Sequence, residues 1–123
     1  MTPETDPLGK TVLLVDNHQK AREVRAQRLT VYGIVVDAVS TVREARFCLR
    51  HKRYDLVLLA VRGNAEETIV FRRGVRQHNP KQRVAFLVGP PHYISFTYGE
   101  NLIPMPPRSS NWAEMLKGHL ATA

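Results

Sequence analysis

Asp16 and Asn17 follow a β-branched and apolar run at residues 11–15 and are side chains suited to chemistry at the end of a strand. A carboxylate beside an amide oxygen can contribute to a cation site, or it can cap the helix that begins near Gln19. A second strand end of the same kind comes after Tyr54-Asp-Leu-Val-Leu-Leu59 and carries Ala60. Open α/β sheets keep their ligands in the crevice at such strand ends, yet a methyl group does no chemistry. The other reactive types are scattered. Histidines 18, 51, 78, 92 and 119 show no i, i+4 pair or cysteine partner that would suggest zinc, so no zinc site is expected. Cys48 shares a helix face with Ala45 and Leu49 and reads as packing.

Residues at two strand ends act together only if a sheet brings those ends side by side. Residues 56–60 are apolar without alternation, which predicts a strand buried on both faces at the centre of a parallel sheet. Residues 11–15, 34–38 and 83–88 predict further strands. Between them lie helical spacings. Ala21, Val24, Leu29 and Tyr32 mark a helix over 19–32 closed by Gly33. Val42, Ala45, Cys48 and Leu49 mark a second, capped by Ser40 or Thr41, with Glu44 completing a capping-box pattern three residues after Thr41. Ile69, Phe71 and Val75 mark a third over 65–77, stopped by Asn79-Pro80. Gly74 inside it costs about 1 kcal/mol of helix propensity.

Residues 89–99 read as irregular, with Tyr93, Phe96 and Tyr98 either filling space or meeting a partner. A short strand at 102–104, a turn at Pro106-Pro107 and a last helix from Ser109 or Ser110 to Leu120 complete the chain. Strand and helix alternate five times, which predicts an α/β, doubly wound parallel sheet with helices on both faces. Residues 1–9 read as a flexible leader and 10–121 as one domain.

The 123 residues suffice for one core, and 43% of them are hydrophobic. One cysteine excludes a disulfide framework and fits a reducing cytoplasm. No run approaches the roughly 18 apolar residues of a membrane span, so the expectation is a soluble cytoplasmic protein. The net charge is +7; between Lys20 and Arg83, 15 basic residues face 6 acids, leaving +9. Arg43, Arg46, Arg50 and Arg53 form a ridge that Arg72, Arg73 and Arg76 extend if the two helices lie side by side. Such a surface suits acidic protein or nucleic-acid backbone. The plainer reading is solvated helix faces, and no base-reading motif accompanies the charge.

These residues resemble the receiver domain of bacterial two-component response regulators over about residues 11–120. Val12-Leu-Leu-Val-Asp-Asn17 is similar to the family's first strand and acidic pair, and Arg22 matches a basic position of its first helix. Residues 54–61 are similar to its third strand, 60–84 keep its spacing to the fourth, and Pro104-Met-Pro106 resembles the end of its fifth. The resemblance implies a flavodoxin-like, three-layer (βα)5 fold with strand order 2-1-3-4-5. The stretch between Val88 and Leu102 implies a shortened or irregular fourth helix.

In the family an aspartate attacks a phosphoryl group held by Mg²⁺, while a lysine and a Ser/Thr hydroxyl hold the phosphoryl oxygens. Carried over, Asp16 keeps one acid of the pair and Asn17 replaces the other. Ala60 replaces the acceptor, Val88 the switch hydroxyl and Met105 the lysine. Arg62 reaches toward the vacated pocket and pairs with Asp16 in one reading; in the other it is an exposed loop residue. The loop at 63–68 also lacks the family's proline and Asp-Gly.

The implied function is a degenerate, phosphorylation-independent receiver, not an enzyme. It needs no metal or other cofactor, and it binds a protein partner in a signalling pathway, a second copy of the chain included. The alternative is a nucleic-acid-associated domain acting through the arginines of the second and third helices.

Overall fold

The computed structural model describes residues 10–61, 65–88, 93–98 and 101–104. The apolar runs become four parallel strands, β1 (Thr11–Val15), β2 (Val35–Val39), β3 (Leu56–Val61) and β4 (Val84–Val88), in the order β2-β1-β3-β4. Alternate side chains of the central strands enter separate cores, so neither face could be polar. Val12, Leu14, Leu56, Leu58, Ala85 and Leu87 meet Leu29 and Ile34 on one side. Leu13, Val15, Val57, Leu59, Val84 and Phe86 meet Ala45, Phe71 and Val75 on the other. Helix α1 (Gln19–Val31) therefore covers the first face, and α2 (Val42–His51) and α3 (Ala65–His78) the second. This is the doubly wound α/β arrangement that the alternation predicts, and its strand order is the flavodoxin-like one that the resemblance implies.

Local chemistry sets the helix ends. At α2 the Glu44 N–H donates to Thr41 Oγ1 at 3.1 Å, and the Ser40 and Thr41 hydroxyls both donate to Glu44 Oε1. Of the two expected residues Thr41 is the cap, and the Glu44 carboxylate answers through the two hydroxyls, a variant of the capping box. At the end of α1, Gly33 takes φ 81°, and its N–H donates to the Thr30 carbonyl at 2.9 Å. The Ile34 N–H turns back to Leu29 at 3.4 Å, and both side chains enter the first core. That pairing is a Schellman motif with its hydrophobic contact.

Beyond β4 the sheet departs from the expectation. Residues Tyr93–Tyr98 form β5, antiparallel to β4, and Asn101–Pro104 form β6, antiparallel to β5. A strand stands where a shortened or irregular fourth helix was expected, and the last strand is sixth in the sheet, not fifth. A parallel neighbour needs a crossover of roughly a dozen or more residues, and little more than that separates Val88 from Leu102. A direct antiparallel return needs far less. The stretch from Tyr93 to Tyr98 is also rich in aromatic and β-branched residues, which suit a strand. Pro104 sits on the outer strand, where a missing N–H is tolerated. The leader 1–9, the Pro106-Pro107 turn and the helix expected up to Leu120 lie outside the described residues.

The buried face of α1 also differs from the spacing read in the sequence. Val24 is 50% exposed, and the buried positions are Arg25 and Leu29. The helix is turned to bring an arginine inside.

Candidate functional site

Val15 pairs with Leu59, so the next residues along the two strands, Asp16 and Ala60, come together at the carboxyl edge of the sheet. Asp16 is still anchored to the sheet, its N–H donating to the Val39 carbonyl at 3.0 Å. Its side chain is 0% exposed, and Oδ2 accepts from Nη1 of Arg25 at 2.5 Å. The Arg25 side chain is itself 7% exposed. Oδ1 accepts the His18 N–H at 3.0 Å, an Asx turn that carries the chain from strand to helix. One turn earlier on α1, Arg22 donates Nη1 to the Asp16 carbonyl oxygen at 3.0 Å. Two arginines of one helix thus hold the backbone and the carboxylate of a single residue.

The cap of α1 is not Asp16. His18 takes that place, its Nδ1 accepting the Ala21 N–H at 3.2 Å. Asp16 lies two residues too early, still bonded to β2, and its carboxylate is occupied inside the molecule.

Asn17 is exposed, while Ala60 is half-buried against the first core. Val88 closes β4, paired with Val61 on one side and Tyr93 on the other. Arg62 and Met105 lie outside the described residues, so the Arg62–Asp16 pairing falls there too; the cation seen against Asp16 is Arg25. Hydrophobic spacing could not find Arg25, because a buried arginine gives no apolar signal. The available signal was two arginines three residues apart on the helix that follows a lone acid.

Arg43, Arg46, Arg50, Arg53, Arg73 and Arg76 are exposed. Arg72 is buried, so it adds nothing to an exposed basic surface. Thr68, Phe71, Arg72 and Val75 share the inward stripe of α3 at helical spacing, which takes Arg72 with them. Arg76 donates to the Pro80 carbonyl at 3.1 Å just past the helix end.

A separate polar cluster ties the outer strand β2 to the turn before β3. Tyr54 donates its hydroxyl to Asp37 Oδ2 at 2.6 Å, and Lys52 Nζ reaches the same oxygen at 3.0 Å. The Tyr54 hydrogen bond and then Lys52 hold the Asp37 carboxyl below the usual aspartate range. Burial, followed by the hydrogen bond to Asp37, pushes the Tyr54 phenol up. Among the described residues no three His, Cys, Asp or Glu side chains gather into a metal-binding group, and no helix is long and apolar enough to cross a membrane.

No protein-family model matches the sequence, and no curated protein does. Solved structures do. A response regulator from Thermotoga maritima is 30% identical, with 66% of this chain covering 67% of that one at a TM-score of 0.60. A LuxR-family DNA-binding response regulator from Silicibacter pomeroyi is 28% identical over 63% of this chain, with a TM-score of 0.54. The match spans 62% of that protein's chain, less than two thirds of its length. A Thermotoga maritima response regulator in complex with a histidine kinase is 20% identical, covering 85% of this chain and 79% of that one at a TM-score of 0.59.

Proposed function

The chain belongs to the receiver domains of two-component response regulators, and from that premise we propose that it has given up phosphotransfer and works as a protein-interaction module of a signalling pathway. The observation that carries this reading is the buried Asp16–Arg25 pair beside Ala60. A receiver's phosphoacceptor is a carboxylate that attacks phosphorus and becomes an acyl phosphate. Ala60 has no oxygen with which to form that bond.

The residues present do not fit the Mg²⁺ ion that such chemistry uses. Magnesium requires oxygen ligands in near-octahedral order. Asp16 gives one carboxylate oxygen to a guanidinium and the other to a backbone N–H, and Asn17 brings no charge. A cation already seated on Oδ2 repels a second one. Arg25 supplies from inside the chain a positive charge that binding would otherwise bring and take away. On this reading the chain is not an enzyme, and its surface does not wait on phosphate to become competent.

The kinase complex of the Thermotoga maritima regulator supports a protein partner from the same kind of pathway. The test is intact-mass measurement after incubation with acetyl phosphate and Mg²⁺. The expected result is an unchanged mass, with a known active receiver labelled in parallel. A stoichiometric acid-labile phosphoryl adduct would overturn the reading.

A further inference from the structure

Resting on the protein-interaction reading, we propose that the outer face of α2, with the adjoining stripe of α3, docks an acidic amphipathic segment of a protein partner. Helix α2 has ten residues, about 15 Å of length. Its outward side presents Arg43, Arg46, Phe47, Arg50 and His51, all exposed. Phe47 is 64% exposed, and its ring meets that of His51 at 4.6 Å between centroids. Folding gains little from an aromatic ring placed so. The one acid of this helix, Glu44, is engaged by Ser40 and Thr41 at the first turn, and the helix carries three arginines against that single carboxylate.

The face continues onto α3. Nη2 of Arg46 lies 4.0 Å from the place a Cβ on Gly74 would take. The Arg46 guanidinium thus lies beside α3 at Gly74, at ordinary van der Waals distance. Val70, one turn earlier on the same stripe as Gly74, is a second exposed apolar side chain. The surface therefore carries two exposed apolar side chains, Phe47 and Val70, on helices that also present exposed arginines. Its complement is a segment carrying carboxylates around an apolar anchor, and arginine and aromatic residues are the types that dominate the centres of protein interfaces. A nucleic-acid strand would use the charge, but strand-binding sites are grooves that follow the backbone. This face is made of the outer sides of two neighbouring helices.

The probe is a fluorescein-labelled helical peptide of Glu, Ala and Leu, with its leucines on one side, titrated by anisotropy. The same peptide with Gln for every Glu, and a labelled oligothymidylate strand, are run beside it. Saturable binding of the Glu peptide alone is expected, with amide shifts confined to residues 43–51 and 70–76. Phe47→Ala and the double variant Arg43→Gln/Arg50→Gln should each weaken it about tenfold or more while their melting curves stay unchanged. Absent binding, equal binding of the Gln peptide, insensitivity to either variant, or tighter binding of oligothymidylate through the same amides would each overturn the proposal. The acetyl phosphate experiment is independent of these outcomes. An unchanged mass with no peptide binding removes the docking face and leaves the phosphate-independent receiver standing.

Discussion

Replacing Arg25 by methionine removes one partner of a buried ion pair and leaves the other in place. The Asp16 side chain is 0% exposed and that of Arg25 7%, so water cannot take over the lost contact. Removing one half of such a pair costs about 3–5 kcal/mol, because a charge stays buried without compensation. Domains of this kind have a total stability of about 5–15 kcal/mol. For a mid-range stability the loss is about a third to a half of the whole, a fall in melting temperature of about 10–20 °C. Methionine keeps most of the length of the arginine stem, so little of the effect comes from an empty volume. Urea melts at pH 7, followed by circular dichroism, measure it in a cycle of Arg25→Met, Asp16→Asn and the double variant. The double variant should regain about 2 kcal/mol relative to the sum of the singles, since no charge is then stranded. A cost for Arg25→Met below about 1 kcal/mol, or single effects that add within about 0.5 kcal/mol, would refute the reasoning.

Three further outcomes follow from the same structure. Ala60→Asp alone should stay unlabelled by acetyl phosphate and Mg²⁺, because Arg25 still occupies Asp16; labelling seen by intact mass would show that Arg25 leaves the carboxylate accessible. Gly33→Ala should cost about 1–2 kcal/mol in a thermal melt, since φ 81° strains any side chain, and Gly33→Asn should cost less. For Asp37 the folded carboxyl is held below its unfolded value by Tyr54 and Lys52. Its stabilisation is complete above the unfolded value and lost as pH falls through the lower folded one. Asp37→Asn should therefore be less stable than the parent at neutral pH, by no more than about 1 kcal/mol for so exposed a pair, and the gap in melting temperature should close in acid.

The strands of the parallel core were legible because doubly buried strands have no polar face to disguise them. Residues 56–60 could be placed at the centre of the sheet for that reason. The Thr41/Glu44 box and Gly33 marked helix ends through backbone chemistry, which depends little on tertiary context. What the pattern missed is what context decides. Arg25 entered the interior because its charge is met by Asp16, and apolar spacing assigned that side of α1 to Val24. Arg72 went in with the inward stripe of α3, although its type suggested surface. The stretch from Tyr93 to Tyr98 had strand composition, but residues 89–99 read as irregular, and the resemblance put a shortened or irregular fourth helix there. Ala60 was identified at the strand end from sequence; the residue that completes the site lies nine positions after Asp16, and only folding brings the two together.

The most direct test of the proposal that this site does not answer to phosphate is an amide-resolved NMR titration of the intact chain with Mg²⁺ and then beryllofluoride. The amides of Asp16, Asn17, Arg25 and Ala60 should not move at concentrations that saturate an active receiver. Saturable shifts centred on those four residues would contradict it.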